Sequence, residues 1–231
     1  MATEKELVRK LLKTLRSKLG TGETPPGSNH NFITVWYNKN VDKIGNGAWC
    51  QMTVTWSMWV SGFKKLMSVG RAYTIYAVED AIKGLDGSTW HWGIKGMRAG
   101  DHVYYDWTGK KKNIQGIDHV GTVERIMDDG TFYALEGNSS DKLQRTHRDA
   151  TYVVGYVRPD YASMATKANK LDLHPTVPLK QIPAKKTVTK QESAGIEKVK
   201  ALQTAVGVPA DGKWGSATDK AVLSLRREFF N

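Results

Sequence analysis

The periodicity of the chain changes near Trp92, and that change limits the folds open to it. Upstream, apolar residues recur at helical spacing. Thr3-Glu4-Lys5-Glu6 reads as a capping box, with Thr3 as the N-cap and Glu6 three residues on. Leu7, Val8, Leu11, Leu12, Leu15 and Leu19 then form one stripe, and Gly20 supplies a stop. A leucine face on a basic helix can pack on a domain or lie on a membrane, and packing is the expected outcome. A loop over 24–29 precedes a short helix expected at 31–37. From Cys50 to about Ser68 apolar side chains fall on most faces, which at that length means a buried helix, with Gly70 to end it. A further helix is expected over 72–82. Downstream of Trp92 the segments are short and rich in β-branched and aromatic residues, at 101–107, 119–127, 131–136 and 152–158. Asp128-Asp129-Gly130 is a hairpin turn between the second and third of them. Helices followed by an antiparallel sheet make residues 1–160 an α+β domain.

The remainder of the chain differs in kind. Residues 161–193 have no periodicity, contain Pro175, Pro178 and Pro183, and read as a semi-extended linker. Between 161 and 200 there are eight lysines against Asp172, Glu192 and Glu197. A small helical unit is expected over 194–231. Ile196, Val199, Leu202 and Val206 form one stripe, and Ala221, Val222 and Leu225 face inward on a second helix.

With 231 residues, 40% hydrophobic residues and eight tryptophans, the chain is long and apolar enough for one buried domain and a small second one. A net charge of +11 raises encounter with anionic polymers such as nucleic acid, acidic membranes or bacterial wall. No zinc knuckle, RNA-binding aromatic signature or basic zipper accompanies the charge, so a nucleic-acid partner is not expected. Charges break every apolar stretch, which leaves no transmembrane span. Residues 1–20 do not have the apolar core of a secretory signal, so synthesis in a cytoplasm and later release to the site of action is expected. A monomer is expected.

Cys50 is the only cysteine, in Gly47-Ala48-Trp49-Cys50-Gln51 at the start of the apolar helix. It is either a small buried hydrophobe or a nucleophile. A thiol attacks an amide as thiolate, and a helix N-terminus or an adjacent imidazole favours that form. Of six histidines, His174 falls in the linker, His147 in a charged segment, and His30 and His91 in loops; His102 opens a strand without a carboxylate nearby. His119 opens one arm of the hairpin turned at 128–130, and Glu136 and Asn138 close the other. Antiparallel pairing brings positions near 119 opposite positions near 137, close enough for a hydrogen bond to the imidazole. Strand register decides whether Glu136 or Asn138 makes it. Nucleophile, base and orienting group then follow triad logic. Zinc needs about four spaced ligands, and with no Cys pair and no His-Glu-x-x-His, no metal or cofactor is expected.

At these residues, over roughly 20–160, the chain resembles the CHAP family, the cysteine, histidine-dependent amidohydrolases/peptidases. Four motifs in order carry the resemblance: Asn29 to Tyr37 with Trp49-Cys50 and the helix to Trp59; Gly100-Asp101-His102-Val103; Asp118-His119-Val120-Gly121-Thr122-Val123; and Leu135-Glu136-Gly137-Asn138. The family often has small residues after its cysteine, where this chain has Gln51-Met52, and the calcium-binding acidic loop of some relatives has no clear counterpart. The resemblance implies a papain-like fold, catalytic Cys50, His119, Glu136 and Asn138, and cleavage of peptidoglycan amide bonds. Residues 196–225 resemble helical peptidoglycan-binding modules through Val199-x-x-Leu202-Gln203, Gly207-Val208, Asp211-Gly212-Lys213-Trp214-Gly215 and Thr218-x-x-Ala221-Val222. Trp214 offers a flat face to a sugar or stem peptide, or plugs the unit's own core. Trp90 and Trp92, in a Gly-flanked loop, are the expected groove wall, while Trp49, Trp56 and Trp59 are expected in the core. Together these imply a phage-type endolysin or related wall hydrolase. A protease acting on proteins, and a non-catalytic wall-binding or virion structural protein, remain open beside it.

Overall fold

A computed structural model describes residues 3–63, 70–109 and 113–167, with Thr204. The described residues form two compact units, one of 3–21 with 50–167 and one of 22–49. The expected linker beyond 167 and the expected helical unit over 194–231, with Trp214, lie outside the described residues.

In the larger unit, α1 (Glu4–Arg16) begins at the expected capping box: Thr3 accepts from the Glu6 backbone N–H, and the Glu6 carboxylate accepts from the Thr3 backbone N–H. Its leucine face is buried through Leu7, Leu11, Leu12 and Leu15 and packs on α3 (Cys50–Val60) and α5 (Tyr161–Lys167). Burying a leucine contributes about 1.5–3 kcal/mol, so the helix is held as part of the domain. No helix of the described residues is long and apolar enough to cross a membrane.

The helix α3 is shorter than its composition suggests. It ends at Val60 because Gly62 takes a φ of 87° and closes a Schellman motif: Phe63 N–H donates to the Met58 carbonyl, and Gly62 N–H to that of Trp59. Phe63 is buried and supplies the apolar contact that accompanies such a cap. Every residue from Cys50 to Met58 is buried, so the helix is covered on all sides. A further helix, α4, spans Thr74–Ile82.

A six-stranded antiparallel sheet follows: β1 (Thr89–Trp92), β2 (His102–Tyr105), β3 (His119–Ile126), β4 (Phe132–Ser139), β5 (Lys142–Arg148) and β6 (Val153–Arg158), ordered β1-β6-β2-β3-β4-β5. The α+β order expected from the sequence is the one the chain adopts. The α3 helix packs on β3 and β4. Within the sheet, Val103, Tyr105, Val123, Phe132, Ala134, Val153 and Tyr156 cluster with Met97 in a buried core.

Three expectations need correction. Residues 89–92 are not loop but edge strand β1, paired along β6 from Thr89↔Arg158 to Trp92↔Gly155. Residues 142–148 form a strand that the polar Lys-Leu-Gln-Arg-Thr-His-Arg pattern does not announce. Its turn uses Ser140 and Asp141 at φ of 50° and 58°, where a hairpin usually carries Asn-Gly. The linker does not open at 161, because Tyr161–Lys167 is helical. Tyr161 is buried there and donates to the Gly100 carbonyl at 2.8 Å.

The unit of 22–49 carries α2 (Phe32–Asn40), capped by Asn31, whose Oδ1 accepts from Ile33 and Thr34 N–H. Asn38 exchanges two hydrogen bonds with Gly45, fixing the return of the chain. The buried Glu23 carboxylate accepts from the Asn29 backbone and, at 2.9 Å, from the Trp49 indole, setting the residue before Cys50.

Candidate active site

Cys50 is the first residue of α3 and is buried. In the first turn of a helix the backbone N–H groups have no intrahelical acceptor, so the thiol sits where developing negative charge finds unpaired donors. Gln51 and Met52, the bulky departure after the cysteine, both point into the core. The Gln51 amide oxygen accepts from the Tyr104 hydroxyl at 3.1 Å. The departure is therefore accommodated by buried packing.

His119 opens β3. Its Nε2 lies 3.0 Å from Glu136 Oε2, and an ionised carboxylate only accepts, so Nε2 carries the proton of that bond. The Cys50 side chain lies near enough to the ring to raise the His119 pKa. Cys50, His119 and Glu136 are thus brought together at one site, with His119 and Glu136 joined by a hydrogen bond.

Register explains why Glu136 takes the place beside His119. Thr122 pairs with Leu135, so continuing the ladder sets Gly121 opposite Glu136 and His119 two positions away on the same face. A Cβ on Gly121 would stand 2.6 Å from Glu136 Cγ. The missing side chain is the space through which Glu136 leans toward His119. Asn138, the alternative, is half-buried with a φ of 59° at the irregular step between Glu136 and Ser139, and makes no hydrogen bond to His119.

Glu136 is enclosed by donors. Oε1 accepts from the Tyr105 hydroxyl at 3.0 Å, Thr146 Oγ1 at 2.5 Å and Arg148 Nε at 3.0 Å; Oε2 accepts from His119 and, at 2.6 Å, from Arg148 Nη2. Burial alone would raise its pKa, but hydrogen bonds and charge from His119 and Arg148 outweigh burial and bring it down to about 2. For His119 burial lowers the pKa, while the hydrogen bonds and charges of Cys50 and Glu136 prevail and raise it to about 10. His119 is therefore set to hold its proton beside the ionised Glu136 carboxylate.

The other described histidines have different surroundings. His102 is buried against Thr122, and burial lowers its pKa to about 3. His91 stacks on Tyr156, His147 lies by Tyr133 and Thr131, and His30 lies 3.5 Å from Asn46. Among the described residues, no three His, Cys, Asp or Glu side chains group as metal ligands.

Trp49 and Trp56 are buried, as expected, and Trp59 is half-buried. Trp90 and Trp92 contact each other edge to face on β1, with Trp90 against Tyr104, and neither makes a ring contact with His119. That place belongs to Trp107. Its ring stacks on Tyr105 at 5.0 Å, lies 5.5 Å from the His119 ring, and meets Tyr152 edge to face at 5.4 Å. Trp107 is 39% exposed and Tyr152 42%, so this pair presents an aromatic surface beside the imidazole. Trp107 reads from sequence only as the end of a strand. Its reach to His119 depends on the pairing Tyr105↔His119, which sequence alone does not fix.

No curated protein matches the chain by sequence. The CHAP domain family model matches residues 42–138, a span that holds Cys50, His119, Glu136 and Asn138 and supports a hydrolase-like domain of the cysteine- and histidine-dependent amidohydrolase or peptidase kind.

Proposed function

We propose that the chain hydrolyses an amide bond of bacterial cell-wall peptidoglycan with Cys50 as nucleophile. The observation that carries this reading is Cys50 at the start of α3 near the His119 imidazole, which Glu136 holds by a 3.0 Å hydrogen bond, inside a span matching the CHAP domain. The Cys50 thiolate attacks the carbonyl carbon, and the tetrahedral oxyanion is met by backbone N–H groups at the start of α3. The His119 imidazolium gives its Nδ1 proton to the leaving amine, breaking the C–N bond and leaving an acyl thioester. His119, now neutral, takes a proton from water as the water oxygen attacks the thioester, and breaking the C–S bond releases the acid and restores the Cys50 thiolate and His119 imidazolium. Glu136 keeps the ring oriented throughout. Trp107 and Tyr152 offer flat faces to the sugar or stem peptide on the imidazole side.

In this reading the protein is a phage-type endolysin or related wall hydrolase made in a host cytoplasm and acting on the wall after release. The residues 194–231 hold it there through Trp214, and the positive charge adds attraction to anionic wall polymers. Incubating purified walls with wild type and Cys50→Ala, with mass spectrometry of the released fragments, tests the reading and identifies the amide cut. Wild-type release of fragments with a new amino terminus or a freed lactyl group, absent from Cys50→Ala, is expected. Equal release by both proteins would rule out the thiol mechanism, and cleavage of protein substrates with walls left intact would rule out the substrate.

A further inference from the structure

Orienting an imidazole requires one hydrogen bond from its N–H to a carboxylate. Glu136 receives five, two of them from Arg148 on β5, a residue outside the matched span. The guanidinium is itself held. Its carbon lies 4.9 Å above the Trp107 ring and 5.7 Å from that of Tyr105, the same two rings that flank His119. Arg148, Trp107, His119 and Glu136 are therefore parts of one packed assembly.

We propose that Arg148 is a positioning residue of the reaction, which fixes the plane and the charge of the Glu136 carboxylate so that it holds the His119 ring toward Cys50. This rests on the reading of Cys50, His119 and Glu136 as the hydrolytic line. A carboxylate turns easily about its last side-chain bond, and a single contact to His119 would leave that rotation open. A guanidinium fork bonded to both oxygens closes it. Tyr105 and Thr146 secure only Oε1, so Arg148 is the group that ties Oε2 to the same plane as Oε1.

The charge argument runs the same way. The groups facing Glu136 are His119 from β3, Tyr105 from β2, and Thr146 and Arg148 from β5, with Cys50 of α3 reached through His119. Tyr105 and Thr146 are neutral donors. Without Arg148, the imidazolium is the only cation left to offset the burial of Glu136. Protonation then enters the weakly acidic range, and a protonated carboxyl no longer offers His119 the acceptor that held it.

The test is the pH dependence of kcat/KM on soluble peptidoglycan fragments for wild type, Arg148→Gln and Arg148→Lys, with Cys50→Ala as blank and thermal melting to establish that each variant is folded. In Arg148→Gln, kcat falls at least about tenfold with KM little changed, and the acidic limb moves up by about one pH unit or more. Arg148→Lys restores the limb toward the wild-type position because the charge returns, but recovers only part of kcat because the fork does not. If Arg148→Gln fails to fold, the partial rescue in Arg148→Lys carries the test. A folded Arg148→Gln whose profile superposes on wild type, or an Arg148→Lys no different from wild type in both rate and limb, would overturn the role of Arg148. Hydrolysis unaffected by Cys50→Ala would instead overturn the catalytic reading beneath it.

Discussion

Asp101 and Glu136, two of the buried carboxylates in the larger unit, are each gripped by an arginine fork, and their fates differ. Asp101 accepts from Arg158 at 3.0 and 2.7 Å and from the Arg98 backbone at 2.8 Å. Arg158 also donates to the Gly96 carbonyl, so the group ties the turn before β2 to β6. Glu136 is held by Arg148 at similar distances, but its further partner is His119, whose pKa the nearby Cys50 helps to raise. Burial raises the pKa of Asp101, and Arg158 and the Arg98 amide do not fully offset it; at Glu136 the imidazole and the guanidinium together more than offset burial. A buried carboxylate–arginine pair is thus no sign of chemistry in itself. The proton-carrying partner beyond it makes the difference.

The largest effect expected from this contrast comes from neutralising each carboxylate. Glu136→Gln should lower kcat by about 10²–10⁴-fold, far beyond any loss of folded protein. Asp101→Asn should cost up to about 3 kcal/mol of stability, from the Arg158 and Arg98 donors left without their carboxylate acceptors, with activity per folded molecule kept within about twofold. Wall hydrolysis normalised to the folded fraction from thermal melts separates the two. Matching losses at both sites would erase the distinction.

A smaller effect is expected at two glycines, Gly121 packed against Glu136 and Gly100 beside Asp101 in the chain. Gly121→Ala pushes a methyl group against Glu136 Cγ and should reduce kcat about tenfold, with a modest fall in melting temperature. Gly100, at a φ of 92° with Val8 Cγ2 2.8 Å from the site of a Cβ, should respond in the opposite proportion. Its alanine variant costs about 1–3 kcal/mol and leaves the rate per folded molecule unchanged. A silent Gly121→Ala would mean that Glu136 reaches His119 by another path.

The smallest effect lies in the acid stability. Glu136 has its folded pKa depressed from 4.5 to about 2, so its stabilising contribution is present above the unfolded value and is lost as pH falls through about 2. Asp101 is raised, so its ionisation works against the fold, and acidification through its folded pKa relieves that cost. The melting-temperature gap between wild type and Glu136→Gln should therefore close on acidification below about pH 4.5, whereas the gap for Asp101→Asn should not close in that way. Parallel curves would contradict the assignment of the shifts.

Much of this site could be read in the sequence because its signals are local. The capping box at Thr3, the turn at 128–130 and the apolar run from Cys50 each act within a few residues. Antiparallel pairing then confines His119 to Glu136 or Asn138. The parts that escaped depend on distant partners. Arg148 sits in a strand with almost no apolar pattern, because an edge strand with polar side chains needs only backbone pairing on one side. Trp107 stands next to His119 through the β2–β3 register, and the choice between Glu136 and Asn138 turned on the absent side chain of Gly121 and a positive φ at Asn138. The helix from Cys50 ended early because Gly62 and Phe63 closed it, a local signal masked by the apolar residues around it.

The ¹⁵N NMR titration of the His119 ring in wild type and Cys50→Ala tests the central claim, that thiol, imidazole and carboxylate share one proton-holding line. Burial works to lower the His119 pKa, and the hydrogen bonds and charges of Cys50 and Glu136 lift it to about 10. The wild-type ring should therefore remain an imidazolium through neutral pH and titrate near 10. In Cys50→Ala, with burial unchanged and Glu136 alone to oppose it, the titration should fall toward lower pH. A neutral wild-type ring at pH 7, or identical titrations in the two proteins, would contradict the account.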